Sequence, residues 1–178
     1  MRLQCPDCQH IFEPSKHEVQ SKVGKSNRAR GASFERTVAK KLETWWGNGS
    51  QFRRTPQSGG SALKNGFDMA GDLACNDPSF KYHIECKNVR TFVGVHQVLV
   101  STNPLMYQWF EQSCRDCAPD KVPWVIFAHA GQQFVASKDV VPPQAANLKL
   151  MTLPGDKGST IYLWSLSDMV KTAPELWK

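Results

Sequence analysis

The stretch KYHIECKNVR, residues 81–90, sets a carboxylate and an ammonium, Glu85 and Lys87, two positions apart within an apolar, β-branched run. Successive side chains of an extended chain alternate between faces. Tyr82, Ile84 and Cys86 then share one face, and His83, Glu85 and Lys87 the other. The solvated face of an antiparallel strand shows the same alternation, so chemistry needs a partner from elsewhere. Asp72, upstream in AGDLAC, can be that partner: NDPS is a turn sequence, and pairing across it brings Asp72 towards Glu85. Two carboxylates brought close repel unless positive charge stands between them. Lys87 supplies one unit, and a divalent cation would supply two. Hard oxygen donors on a rigid sheet suit Mg²⁺ or Mn²⁺, with the backbone carbonyl of Cys86 a further donor. Such an ion acidifies a bound water and offsets charge building on a phosphate. Lys87 is placed to orient that water and to stabilise the pentacovalent state. The chemistry this predicts is phosphodiester hydrolysis without a covalent intermediate.

The elements that must hold these groups follow from the flanking patterns. Phe34, Val38, Leu42 and Trp45 make one apolar stripe, so a helix is predicted from Ala32, ended by Gly47 and Gly49. QFRRT reads as a short strand and PQSGGSALKNG as a loop. GDLACN and KYHIECK form a hairpin. Asn103 is a helix cap with Pro104 at the first helical position, opening the helix PLMYQWFEQSC. PWVIFAHA is a buried strand, QFVAS and IYLWSL are further strands, and SDMVKTAPEL is a short terminal helix. The expected fold is a mixed α/β domain with a central β-sheet flanked by helices.

The 178 residues suit one domain with a small appendage. Residues 1–30 read as a Cys-bearing unit and basic arm, and residues 31–178 as the main domain. Forty per cent apolar content is enough for a core, yet no apolar run approaches bilayer length and the N-terminus has no signal-peptide stretch. The expectation is a soluble, intracellular (cytoplasmic) protein in a reducing environment, its cysteines thiols or metal ligands. Residues 16–41 hold eight basic residues against Glu18 and Glu35, a net +6, so the remainder, fourteen basic and fourteen acidic, is neutral. A concentrated basic segment on a neutral body points to a polyanion such as nucleic acid, with Lys25, Arg28 and Arg30 as contacts; the alternative is a solvated linker. PSKHEVQSKVGKSNRARG, residues 14–31, reads as that linker or DNA-contacting arm.

CPDC at 5–8 and CRDC at 114–117 are two C-x2-C knuckles. Cys5, Cys8, Cys114 and Cys117 can together hold one tetrahedral Zn²⁺ and staple the N-terminal unit to the body. His10 and His17 are rival ligands, and a lone pair could instead be redox-active or idle. Cys75 and Cys86 read as buried thiols.

G-D-x12-E-C-K resembles the active-site core of the PD-(D/E)xK nuclease superfamily, with Gly71 where that superfamily usually has Pro. RGASFERTVAKKLETWWG is similar to the opening helix of archaeal-type Holliday-junction resolvases, and RRTPQSGG to their Arg-plus-Ser-Gly segment. The resemblance implies a restriction-endonuclease-like core and a metal-dependent endonuclease. Its implied roles are Glu35, Asp72 and Glu85 at Mg²⁺, Lys87 as the catalytic lysine, and Ser58 with Arg53 or Arg54 at the scissile phosphate. It also implies branched DNA as substrate and a homodimer, because two symmetric cuts need two sites. A restriction-like or DNA-end nuclease on linear DNA is the rival enzyme, and a non-catalytic DNA-binding protein the rival outside enzymes. Asp68 in GFDMAGD competes with Asp72, which is preferred because DLAC continues as a strand. His83, His96 and His129 read as structural or surface residues, since metal-activated hydrolysis needs no general base. Gln108 and Tyr107 are candidates for a polar helper on the following helix. Trp45, Trp46, Trp109 and Phe110 read as core rather than base-stacking residues.

Overall fold

A computed structural model describes residues 3–4, 11–12, 16–55, 71–88, 105–155 and 158–178, with side chains from residue 24 onward. The chain starts with two short antiparallel strands, β1 (Leu3–Gln4) and β2 (Ile11–Phe12), paired Leu3 to Phe12 and Gln4 to Ile11. Helix α1 then runs unbroken from Lys16 to Trp46, 31 residues, or about 46 Å. This corrects the sequence reading, which starts the helix at Ala32 and makes residues 14–31 a linker or arm. The basic stretch carries Lys16, Lys22, Lys25, Arg28 and Arg30 and has no proline after Pro14. Gly24 and Gly31 each cost only about 1 kcal/mol in a helix. The second half of α1 buries Phe34, Val38, Leu42, Trp45 and Trp46, and helix extension from a packed turn is cheap compared with nucleation. The helix therefore passes through the position between residues 30 and 31 at which the sequence reading divides the chain. It stops as expected: Gly47, Asn48 and Gly49 all take positive φ, 67°, 55° and 71°.

Seven strands among the described residues form one sheet in the order β3-β4-β5-β6-β7-β9-β8. They are β3 (Phe52–Arg54), β4 (Leu73–Cys75), β5 (Tyr82–Lys87), β6 (Val122–His129), β7 (Gln132–Lys138), β8 (Met151–Pro154) and β9 (Thr160–Ser165). All neighbours are antiparallel except β5 and β6, which run parallel in the register Glu85 to Val125 and Lys87 to Phe127. A parallel pair needs a crossover, and helix α2 (Leu105–Asp116) lies in it. α1 packs on one face with Ile84, Trp124, Ile126 and Trp164; α2 packs on the other with Val125, Phe127, Ala136 and Leu163. Trp45 and Trp46 are buried in the first core, Trp109 and Phe110 in the second, as their helical spacing predicts.

The strands read from sequence are present, while β8 and the β1–β2 pair carry too few residues for a pattern to announce them. The terminal helix is shorter than expected. It splits into α3 (Leu166–Met169), capped by Ser165 accepting from the Asp168 N–H, and a 3-10 turn at Pro174–Trp177. Proline at the turn's start forbids a continuous helix. The turn delivers Trp177 into the first core, where its carbonyl accepts the Tyr82 hydroxyl at 2.8 Å and its ring meets Trp124 edge-on at 5.5 Å. Tyr82 stacks on Trp124 with centroids 3.7 Å apart. The β4–β5 turn is held by Asp77, whose carboxylate accepts from the Ser79 N–H and hydroxyl and from the Trp46 indole. Among the described residues no helix is long and apolar enough to cross a membrane.

Candidate active site between β4 and β5

The first site residue stands just before β4. Asp72 is gripped on both sides: its N–H donates to the Ile84 carbonyl at 2.8 Å, and its carbonyl accepts from the Thr55 N–H at 3.1 Å. Gly71 precedes it with φ +76°, and a Cβ there would lie 2.6 Å from the Ile84 carbonyl oxygen. Proline is fixed near φ −65° and cannot take this backbone. The position that carries Pro in the resembling superfamily therefore needs Gly here, for a reason of space and dihedral together.

Pairing of β4 with β5 is registered at Leu73 and Ile84. One step further, the Cys86 N–H meets the Asp72 carboxylate at 2.7 Å. The expected approach of Asp72 to the E-x-K strand is thus made through backbone. Glu85 is buried and Lys87 half-buried on the face that α2 covers. Lys87 Nζ sits between two acceptors, Glu85 Oε2 at 3.1 Å and Gln112 Oε1 at 2.9 Å. The α2 residue that meets Lys87 is Gln112, not the Gln108 or Tyr107 named from sequence. Gln108, one turn earlier, is exposed, and the Tyr107 hydroxyl instead donates to the Pro154 carbonyl, tying α2 to β8. Met106, Trp109 and Phe110 fix the rotation of α2 on β6, and that rotation decides which glutamine reaches the lysine. The signal available in sequence was the i, i+4 relation of the two glutamines, which share a helix side.

His83 is buried beside Glu85, in keeping with the structural reading. Its side chain has no exposure, neither ring nitrogen has a hydrogen-bond partner among the described residues, and Nε2 lies 3.6 Å from Glu85 Oε1. Period-two alternation put His83 beside Glu85; only the fold shows that it is sealed there.

Glu35 and Arg54 approach from the other face. Glu35 lies on α1, largely buried, and Arg54, on β3 opposite Leu73, donates its Nε–H to the Glu35 carboxylate. The two residues to which the resemblance gives separate roles, at metal and at phosphate, here hold each other.

The charges are felt across the site. Burial pushes the Asp72 carboxyl up to about 6, the negative charge of Glu85 adds to this, the Cys86 N–H opposes it, and Glu35 raises it again. Burial also disfavours the Glu85 carboxylate, but His83 and Lys87 outweigh it and hold Glu85 below the usual range. The Cys86 thiol is driven far up, first by burial and then by Asp72, Glu35 and Glu85. Three carboxylates thus face two fixed cations, Lys87 and Arg54. A surplus of hard, anionic oxygen donors suits a divalent cation, with Asp72 and Glu85 the pair nearest to sharing one. Among the described residues no three His, Cys, Asp or Glu side chains already close around a single point.

Of the other sequence candidates, Arg53 is exposed, its guanidinium 2.7 Å from Gln51 Oε1. Lys25 and Arg28 are exposed on α1, and Arg30 donates to Asn27 Oδ1 at 2.8 Å. Cys114 is exposed near the end of α2; Cys117 follows it, with Sγ 3.4 Å from the carbonyls of Ala118 and Lys121. Cys75 and Cys86 are half-buried, and burial raises both thiols. Ser58, Asp68, Cys5, Cys8, His10 and His96 lie outside the described residues, as does the side chain of His17.

A mixed sheet covered by α1 and α2, with Asp72 held against an E-x-K strand, defines an α/β fold of the restriction-endonuclease type bearing a PD-(D/E)xK nuclease site. Comparison with protein-family models matches residues 26–151 to the family described as "Phage putative PDDEXK endonuclease". The chain belongs to that family. The match spans Glu35, Asp72, Glu85, Lys87 and Gln112. Comparisons with curated proteins and with solved structures gave no match.

Proposed function

We propose that the protein is a Mg²⁺- or Mn²⁺-dependent DNA endonuclease that hydrolyses phosphodiester bonds at the β4–β5 fork. The observation that carries this reading is Lys87 Nζ, shared by Glu85 and Gln112 on the strand whose Cys86 N–H fixes Asp72. A divalent cation held by Asp72 and Glu85 supplies, when bound, an acidified water and positive charge at the phosphate. The chain's own groups do the rest. The Cys86 N–H anchors one oxygen of Asp72. An ammonium has three donors; two of those on Lys87 meet Glu85 and Gln112, and the third serves the attacking water or a phosphate oxygen. His83 beside Glu85 keeps water from that side of the carboxylate. Arg54, paired with Glu35, is the guanidinium proposed to meet a phosphate, and a charge-assisted contact of that kind is strong.

Branched DNA is the proposed substrate and a homodimer the proposed assembly; the similarity of GASFE and RRTPQSGG to resolvase segments supports both. A Zn²⁺ shared by Cys5, Cys8, Cys114 and Cys117 is proposed on their paired spacing, with β1 and β2 flanking the first pair. Cobalt substitution should give thiolate charge-transfer absorption, and a spectrum unchanged in Cys114→Ser would rule out the paired knuckles.

The decisive assay incubates the protein and Mg²⁺ with labelled four-way, flap, linear duplex and single-stranded DNA. Paired nicks confined to the four-way junction are expected. Cutting of linear duplex would replace this substrate with a restriction-like one. Tight binding with no cutting in either Mg²⁺ or Mn²⁺ would replace the enzyme with a binding module.

A further inference from the structure

α1 has a second working side. A groove of about 550 Å³ opens between α1 and the segment after α3, a volume typical of small-ligand sites. Its rim carries three ammonium groups, Lys40, Lys41 and Lys171. Its floor is apolar, with the buried Trp45 and the half-buried Val170. Thr37 and Thr44 also line it, but their hydroxyls already donate to the Ser33 and Lys40 carbonyls at 3.0 and 2.9 Å. They bring methyl groups and acceptor lone pairs rather than donors. The positive charge therefore rests on the lysines. Lys41 is anchored to Gln133 Oε1 at 2.7 Å and keeps two further donors. Lys171 pairs with Asp168 at 2.9 Å, an exposed contact, and such pairs are weak and easily exchanged.

The groove is not the catalytic centre. At 100° per residue, Lys40 and Thr44 lie about 140° and 180° around the helix from Glu35. It is continuous instead with the basic half of α1, because the exposed Lys25 and Arg36 fall within about 60° of Lys40. An apolar floor under a cationic rim matches a ligand with flat apolar faces joined by phosphates. Duplex DNA hides its base faces, whereas an unpaired strand exposes them, and a cationic groove that tracks the backbone is one of the two features of strand-binding sites.

We propose that the α1–α3 groove holds an unpaired nucleotide segment of the DNA substrate, remote from the bond being cut. This rests on the nuclease reading above and adds to it a place for single-stranded DNA. The test is fluorescence anisotropy of the full chain in EDTA with labelled oligothymidylate and, separately, a short duplex, across a series of salt concentrations. In the Lys40→Ala/Lys171→Ala variant, single-strand affinity should fall at least fivefold. Its salt slope should become shallower by about 0.7 per lysine removed, with a smaller loss for duplex. Thr44→Glu, a change at an exposed helix position, should reproduce the loss with an unchanged melting temperature. Unaltered single-strand binding in both folded variants overturns the proposal, as does an equal loss for duplex, which would make the groove a general backbone contact. Wild-type protein that binds neither probe overturns the groove proposal and leaves the nuclease reading to the Mg²⁺ cleavage assay above, so the two failures are told apart.

Discussion

The two faces of β5 carry opposite kinds of side chain. On the face towards α1, Tyr82 and Ile84 enter an aromatic core with Trp124, Trp46 and Trp177. On the face towards α2, His83, Glu85 and Lys87 form a line of ionisable groups, and the apolar contacts of α2 go to β6 rather than to β5. One strand of 6 residues therefore turns its apolar even positions to the core and its ionisable odd positions to the proposed site. The comparison teaches why a buried Glu–Lys pair is tolerated here. A buried pair is a poor source of stability, so it needs a strand already secured from the other side.

The sharpest way to break this comparison is to silence the odd positions. Lys87→Ala should lower DNA cleavage on the order of 10³-fold, as loss of a transition-state donor does, while far-UV circular dichroism and melting temperature stay near wild type. Cleavage retained within tenfold would leave Lys87 without a catalytic part. The even positions should behave in the opposite manner. Ile84→Ala, at a fully buried site, should cost about 2–5 kcal/mol in chemical denaturation, with residual activity tracking the folded fraction. A stable Ile84→Ala protein with no activity would erase the distinction between the faces.

A smaller effect sharpens it. Burial, with the charge of Glu85 added, pushes the Asp72 carboxyl from the ordinary 3.8 up to about 6. The folded state thus holds this proton over a range where the unfolded chain has lost it. Stability falls as pH rises from about 4 to about 6, and above that the ionised carboxylate is a standing cost. Asp72→Asn in EDTA should therefore be more stable than wild type at pH 7–8, on the order of 1–3 kcal/mol, and the gain should vanish near pH 4. The same variant should not cut. A melting temperature that drops at pH 8 would show that the carboxylate is already neutralised by other means. The smallest effect concerns α2. Gln112→Ala removes the side-chain oxygen that accepts from Lys87 opposite Glu85 and should slow cleavage about tenfold, roughly 1.4 kcal/mol. Gln112→Glu, which keeps an oxygen there, should recover part of the rate; equal rates in all three proteins would show that the helix does not orient the lysine.

The legible part of this protein was local. Period two in KYHIECK, a turn at NDPS and the stop at Gly47 and Gly49 are written in neighbouring residues, and each is where it was expected. Asp72, Glu85 and Lys87 came from the same local pattern, and the β4–β5 pairing bears out the approach of Asp72 to that strand. The start of α1 was misread because the basic segment has no apolar stripe to announce a helix, and its continuation depends on the packed half that follows.

What residue types and spacing determined alone was local: carboxylates and a lysine set side by side on a strand, because alternation and turn formation are properties of a few adjacent residues. What the tertiary structure decided was who meets whom. Gln112 rather than Gln108 reaches Lys87, Glu35 is engaged by Arg54, and Gly71 is required by the carbonyl of Ile84. Each of these depends on how a helix is rotated on a sheet or how closely two strands cross. Those quantities are set by the packing of residues far apart in the chain, and no local pattern encodes them.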